Sequence, residues 1–147
     1  SGYWGNEEAN KEAFRNGWFH MGDVFKRDKM GLINFVDRVK YMIKSGGENI
    51  YPAEIEQYIL IDQRVSEVVV VRKKDSKWGE VPVAFISAVS NKLSEEDVLD
   101  MLKGKIASYK LPKEIHFVQP SFFPRTGTGK VQRHLVEKSL SRLDPKS

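Results

Sequence analysis

Four valines in succession, Val68 to Val71, stand inside the run Val65–Val71. β-Branched side chains are stiff about χ1 and suit the pleated surface of a strand. Successive strand residues point to opposite faces, so this run is apolar on both. Such a strand must be covered on both sides, and the run predicts a central strand between two layers. A second apolar run, Val81–Val89, follows the loop Asp75–Glu80. Pro82 lies near its start, where a missing N–H is tolerable.

The remaining segments supply the cover. Pro52 fits a first helical turn, and Glu54 and Glu56 suit the positive end of the helix dipole. Ile55, Tyr58 and Ile59 mark one face of that helix, which ends near Asp62. Ser94 followed by Glu95, Glu96 and Asp97 has the form of a helix N-cap. Val98, Leu102 and Ile106 continue at helical spacing, although Gly104 weakens the end. Lys110-Leu111-Pro112 breaks the chain. Glu114–Val118 is a short strand, 120–130 a loop and Val131–Leu140 a last amphipathic helix. Upstream, Val24–Lys26 and Leu32–Val36 are strands joined by the hairpin loop Asp28-Lys29-Met30-Gly31. Asn6 to Phe14 is expected to form a short helix. The order is hairpin, helix, strand, strand, helix, strand, helix. That is α+β: a small sheet with packed helices and a separate β-hairpin.

Composition bounds the chemistry. The 147 residues are 40% hydrophobic and 30% charged, a globular balance. No run approaches the roughly 20 apolar residues of a membrane span. The start carries no secretory signal. With no cysteine, disulfides, thiolate metal sites and cysteine nucleophiles are excluded, which fits a reducing, cytoplasmic compartment. His20, His116 and His134 show no metal-ligand spacing, and no metal site is expected. The net charge of +4 is spread among acids, which argues against a nucleic-acid partner.

Three stretches stand out as sites. In Gly31–Glu56, GLINFVDRVKYMIKSGGENIYPAEIE, a strand gives way to the charged knot Asp37-Arg38-Val39-Lys40. The bare loop Ser45-Gly46-Gly47 follows just after Lys44. A plain turn and a place where something thin meets backbone are equal readings of it. The second stretch, PRTGTGK, brings a P-loop to mind, but Pro124 and Val131 stand where the Walker pattern needs Gly and Ser or Thr. What remains is Lys130 on a glycine-containing loop. It is either a flexible surface turn or a mobile cation for a phosphate or a developing oxyanion. The third, Gly22-Asp23, can set a carboxylate at a turn.

Together, in this order, Trp18–Asp23, the glycine-loop stretch and PRTGTGK resemble the C-terminal part of the adenylate-forming enzymes. These include acyl-CoA synthetases, firefly luciferase and peptide-synthetase adenylation domains. SGGENIYPAEIE is most similar to the acyl- and aryl-CoA synthetase branch, and the Arg-Gly-Xaa-Arg-Ile-Glu pattern usual in peptide synthetases is absent. The resemblance implies an AMP-forming acid–thiol ligase. It would join a carboxylic acid to ATP with Mg2+, giving an acyl-adenylate, and then pass the acyl group to coenzyme A. It implies roles residue by residue. Asp23 would hold the ribose hydroxyls, with Arg38 near the ribose or phosphates. Asp37 would be the hinge. Lys130 would serve adenylation, and Lys44 with Gly46 and Gly47 the thioester step, where the pantetheine arm passes. Met21 stands where the family usually has Thr. The expected division is residues 1–37 as the tail of a large N-terminal domain and 38–147 as the small C-terminal domain. That large domain is missing here, and the piece alone is expected to be inactive. Two alternatives stay open: a separate non-catalytic domain binding a nucleotide or protein partner, and part of an adenylation domain that loads a carrier-protein thiol.

Overall fold

The computed structural model describes residues 14–15, 18–19 and 23–143. The chain divides into two units, Ser1–Lys40 and Tyr41–Ser147. Asp37 and Arg38, at the division expected from the sequence, are the last residues of a strand of the first unit.

That unit contains two antiparallel pairs. The first is β1 (Phe14–Arg15) with β2 (Trp18–Phe19), so Phe14 lies in a strand, while the rest of the helix expected over 6–14 lies outside the described residues. The second is β3 (Asp23–Arg27) with β4 (Ile33–Arg38). Asp28 closes their hairpin by accepting N–H bonds from Met30 and Leu32, both at 2.9 Å. A 3-10 turn, Val39–Tyr41, leads out of β4.

The second unit is built on a five-stranded sheet. Its strands are β5 (Ile43–Ser45), β6 (Glu48–Ile50), β7 (Val65–Asp75), β8 (Gly79–Ala88) and β9 (Glu114–Phe117). The helices are α1 (Pro52–Ile59), α2 (Glu95–Leu102) and α3 (Arg133–Leu143). Strand β8 is central, with β7 antiparallel along one side and, on the other, β5 at its start and β9 parallel further on. The expectation of a central valine strand is corrected here. Val65–Val71 is covered on both faces, but among the described residues β7 pairs only with β8 and forms an edge.

The alternation of the valine run sorts it between two cores. Val68 and Val70 join Ile55, Ile59, Val98 and Leu102 under α1 and α2. Val69 and Val71 join Phe85, Phe123, Val136 and Leu140 under α3. A register shift between Val65 and Glu67 turns Val65 into the first core as well, a re-aiming typical of a β-bulge.

Two ladder features follow from chemistry. Val70 and Ala84 face each other across β7 and β8, yet both peptide groups of Val70 point outward. Its N–H donates to Glu56 Oε1 at 2.7 Å and its carbonyl accepts from Arg133 at 2.6 Å. Glu56 and Arg133 also pair with each other, and the Arg133 guanidinium lies 5.1 Å from the Tyr41 ring centre. Alternation carries this to Pro82, opposite Arg72. Its missing N–H falls on the far side of β8, in the gap between the β5 and β9 pairings.

Helix α2 opens with a reciprocal capping box between Ser94 and Asp97. It ends at Leu102, before Ile106, and Gly104 takes a left-handed φ of 75°. The last helix begins at Arg133 rather than Val131 and extends to Leu143.

Candidate functional site

Ser45-Gly46-Gly47 is not a loop before a helix: Ser45 ends β5 and faces Glu48, and Gly46-Gly47 is the two-residue turn of the β5–β6 hairpin. Both glycines have positive φ, 57° and 84°, as the mirror-image turns of tight hairpins require. Gly-Gly between Ser45 and Glu48 is the signal sequence reasoning passed over; the flanking strands are too short to announce themselves.

The two glycines differ in what surrounds them. A Cβ on Gly46 would lie 2.8 Å from Trp78 Cε3, whereas one on Gly47 would meet nothing within 4 Å. What approaches Gly46 is therefore the chain's own tryptophan. The Gly46 N–H donates to the Trp78 carbonyl at 2.8 Å. Trp78 is fixed in turn by Asp75, whose Oδ1 accepts the N–H groups of Lys77 and Trp78, each at 2.8 Å. These bonds, that from Trp78 foremost, hold the Asp75 carboxyl below its ordinary pKa. Trp78 is missing from the sequence-derived site, since its contact with Gly46 crosses from one hairpin to another. Lys44 is exposed on β5, and its N–H donates to Glu80 Oε2 at 2.9 Å.

The PRTGTGK loop is closed by a bridge between Arg125 and Val131. Inside it the Thr126 N–H donates to the Lys130 carbonyl at 2.8 Å and the Gly129 N–H to the Thr126 carbonyl at 2.9 Å. The Lys130 N–H returns to Thr126 Oγ1 at 3.2 Å. This is a braced hairpin rather than a slack turn. The Lys130 side chain is exposed, and no ion pair holds its ammonium group among the described residues.

Arg125 reaches Glu67 at the beginning of β7, while Ser45 pairs with Gly79, opposite Asp75 at the end of β7. At about 3.3 Å per residue, the ladder between those points spans on the order of 25 Å. The Lys130 loop and the Lys44–Gly47 hairpin thus sit at opposite ends of one rigid sheet.

The other candidates belong to the first unit. Asp23 and Arg38 face each other across β3 and β4, with Arg38 Nε 3.4 Å from Asp23 Oδ1. Among the described residues that oxygen is buried and accepts no hydrogen bond, so it retains capacity for a hydroxyl donor. Asp37 is 4% exposed. It pairs with Val24 in the ladder, and its Oδ1 accepts the Arg38 N–H at 2.7 Å. Gly22 and Met21 lie outside the described residues.

Residues 54–130 match the AMP-binding enzyme C-terminal domain. The chain belongs to that family. It is 42% identical over 144 residues to a long-chain-fatty-acid–CoA ligase of Mycobacterium tuberculosis, covering 98% of this chain and 28% of the relative. A 2-succinylbenzoate–CoA ligase of Listeria innocua is 46% identical over 141 residues, covering 95% and 29%. Among solved structures, the o-succinylbenzoate CoA synthetase of Bacillus subtilis in complex with its acyl-adenylate intermediate superposes with a TM-score of 0.83. It is 35% identical, covering 93% of this chain and 28% of that one. The chain therefore spans little more than a quarter of these relatives' length.

Proposed function

We propose that this chain is the C-terminal part of an AMP-forming acyl-CoA synthetase, working with a larger N-terminal domain in the same polypeptide. In that enzyme a carboxylate oxygen would attack the α-phosphate of ATP, breaking its bond to the β-phosphate bridge and giving an acyl-adenylate and pyrophosphate. Attack by the thiol of coenzyme A on the acyl carbon would then form the thioester and expel AMP. A cytoplasmic setting belongs to the same reading. The observation that carries it is the separation of an exposed lysine and an open glycine turn to opposite ends of one sheet. A chemistry in two steps with different needs suits that separation.

In the first step charge develops on phosphate oxygens, and an exposed ammonium group on a braced loop suits it. Lys130 is assigned to the carboxylate and α-phosphate. Asp23 is assigned to the ribose hydroxyls, which its undonated oxygen supports, and Arg38 to the ribose or phosphates. In the second step a thin thiol arm must approach the acyl carbon. Gly47 leaves open space over the backbone for it, with Lys44 alongside. Gly46, covered by Trp78, forms the wall of that path rather than its opening. Among the described residues no three His, Asp or Glu side chains are grouped to hold a metal. The Mg2+ of the reaction is therefore assigned to ATP and the remainder of the enzyme.

The test is ATP–pyrophosphate exchange by the full-length enzyme. Lys130→Ala should lower exchange by orders of magnitude at unchanged thermal stability. Exchange within a few-fold of the parent would refute the assignment.

A further inference from the structure

Arg125 ties the PRTGTGK hairpin to the sheet. Arg125 donates from one guanidinium nitrogen to Glu67 Oε2 at 2.5 Å and from another to the Gly129 carbonyl at 3.3 Å. One planar group thus joins strand β7 to the residue preceding Lys130. Alternation with Val69 and Val71 places Glu67 on the α3 face of β7, and the β-bulge at the start of the strand turns only Val65 away from that face. Without the extra residue, Val65 and Glu67 would share a face. With it, Val65 enters the core under α1 and α2 while Glu67 stays partly exposed toward the loop. The Ser66 hydroxyl donates to the Ser87 carbonyl at 2.8 Å and secures the bulge.

We propose that Arg125 and Glu67 form a latch that sets the position of Lys130, so that the loop and sheet move as one body. This rests on Lys130 being the adenylation lysine. Arg125 is a positioning residue, acting through Gly129 and the loop backbone and not by touching substrate.

Energetics separates positioning from stability. The two side chains are 39% and 23% exposed, and solvent screening leaves such pairs little weight in folding. Displacing a catalytic group by about 1 Å, in contrast, can cost on the order of 100-fold in rate. The latch therefore matters far more to the phosphoryl step than to the fold. Lysine at 125 keeps the charge but loses the fork that spans two acceptors.

In the full-length enzyme, Arg125→Lys and Glu67→Gln should each lower pyrophosphate exchange about tenfold or more, chiefly in kcat. The double variant should be no worse than the poorer single one, because one interaction is lost. Thioester formation from supplied acyl-adenylate should stay within about twofold, since the latch does not reach the hairpin at the other end of the sheet. Hydrogen exchange of the 124–132 segment should quicken in both variants while the β8 amides are unaffected. Exchange activity within twofold of the parent in both single variants would overturn the latch. So would an equal fall in both half-reactions. Lys130→Ala, run in parallel, keeps the failures apart. If it abolishes adenylation while the latch variants do nothing, the latch alone is wrong. If it too is harmless, the assignment of Lys130 is wrong.

Discussion

Gly46 and Gly47 are neighbours with different tasks. Alanine at Gly47 meets no atom, so its cost is the left-handed backbone alone, about 1–2 kcal/mol. Alanine at Gly46 pays that and also collides with Trp78. Gly46→Ala should therefore lower the urea midpoint clearly more than Gly47→Ala. Equal midpoints would mean that the Trp78 ring yields freely. Because a side chain at Gly47 has room within this chain, thioester activity lost by a folded Gly47 variant reports on the ligand path and not on damage to the fold. The sequence made Gly-Gly visible but not the difference between its two members, which depends on Trp78 arriving from another hairpin.

At the scale of elements, the exposed edge of β7 needs closing, since unpaired strand edges invite wrong pairing. Glu56 of α1 and Arg133 of α3 close it at Val70, with side chains only 13% and 18% exposed. Removing one partner leaves a largely buried charge, so Glu56→Ala should cost about 3 kcal/mol or more in urea denaturation. Glu56→Gln keeps an acceptor for the Val70 N–H and should cost less. Equal losses would show that charge alone matters. A second bond set predicts a pH response. Arg64 donates from side chain and backbone to Asp62, lowering that carboxyl from 3.8 to about 2. A carboxyl lowered on folding contributes stability that is complete above its unfolded pKa and is lost as pH falls through the folded one. The thermal midpoint should thus drop as pH falls from 3.8 toward about 2, and Asp62→Asn should flatten that part of the profile. An unchanged slope would refute the assignment. Helices α1 and α2 and strands β7 and β8 were legible because their apolar spacing and caps are local. The β5–β6 hairpin was not, because three-residue strands carry no periodicity. Nor was the edge position of β7, since a strand buried on both faces reads alike at the centre and at the margin.

At the scale of the whole molecule, the division after Lys40 bears on the hinge. Asp37 is held in the β3–β4 ladder, whereas Lys40 lies in the 3-10 turn beyond it and Tyr41 is stacked against Arg133. The stretch 37–40 joins the two units, and the swivel is proposed to lie within it. Proline fixes φ and alanine does not. In the full-length enzyme Lys40→Pro should preserve one half-reaction and depress the other at least about tenfold, while Lys40→Ala should be mild. Asp37→Pro should disrupt the ladder and lower both. A split produced by Asp37→Pro and not by Lys40→Pro would favour Asp37 as the hinge.

The central claim is that one sheet carries two chemistries at its two ends, and it is tested most directly by crossing two variants with two half-reactions. In the full-length enzyme, Lys130→Ala and Gly47→Leu are each assayed for pyrophosphate exchange and for thioester formation from supplied acyl-adenylate. Opposite losses are expected: Lys130→Ala fails in exchange and keeps thioester formation, while Gly47→Leu keeps exchange and fails in thioester formation. Parallel losses of both half-reactions in both variants would contradict that claim.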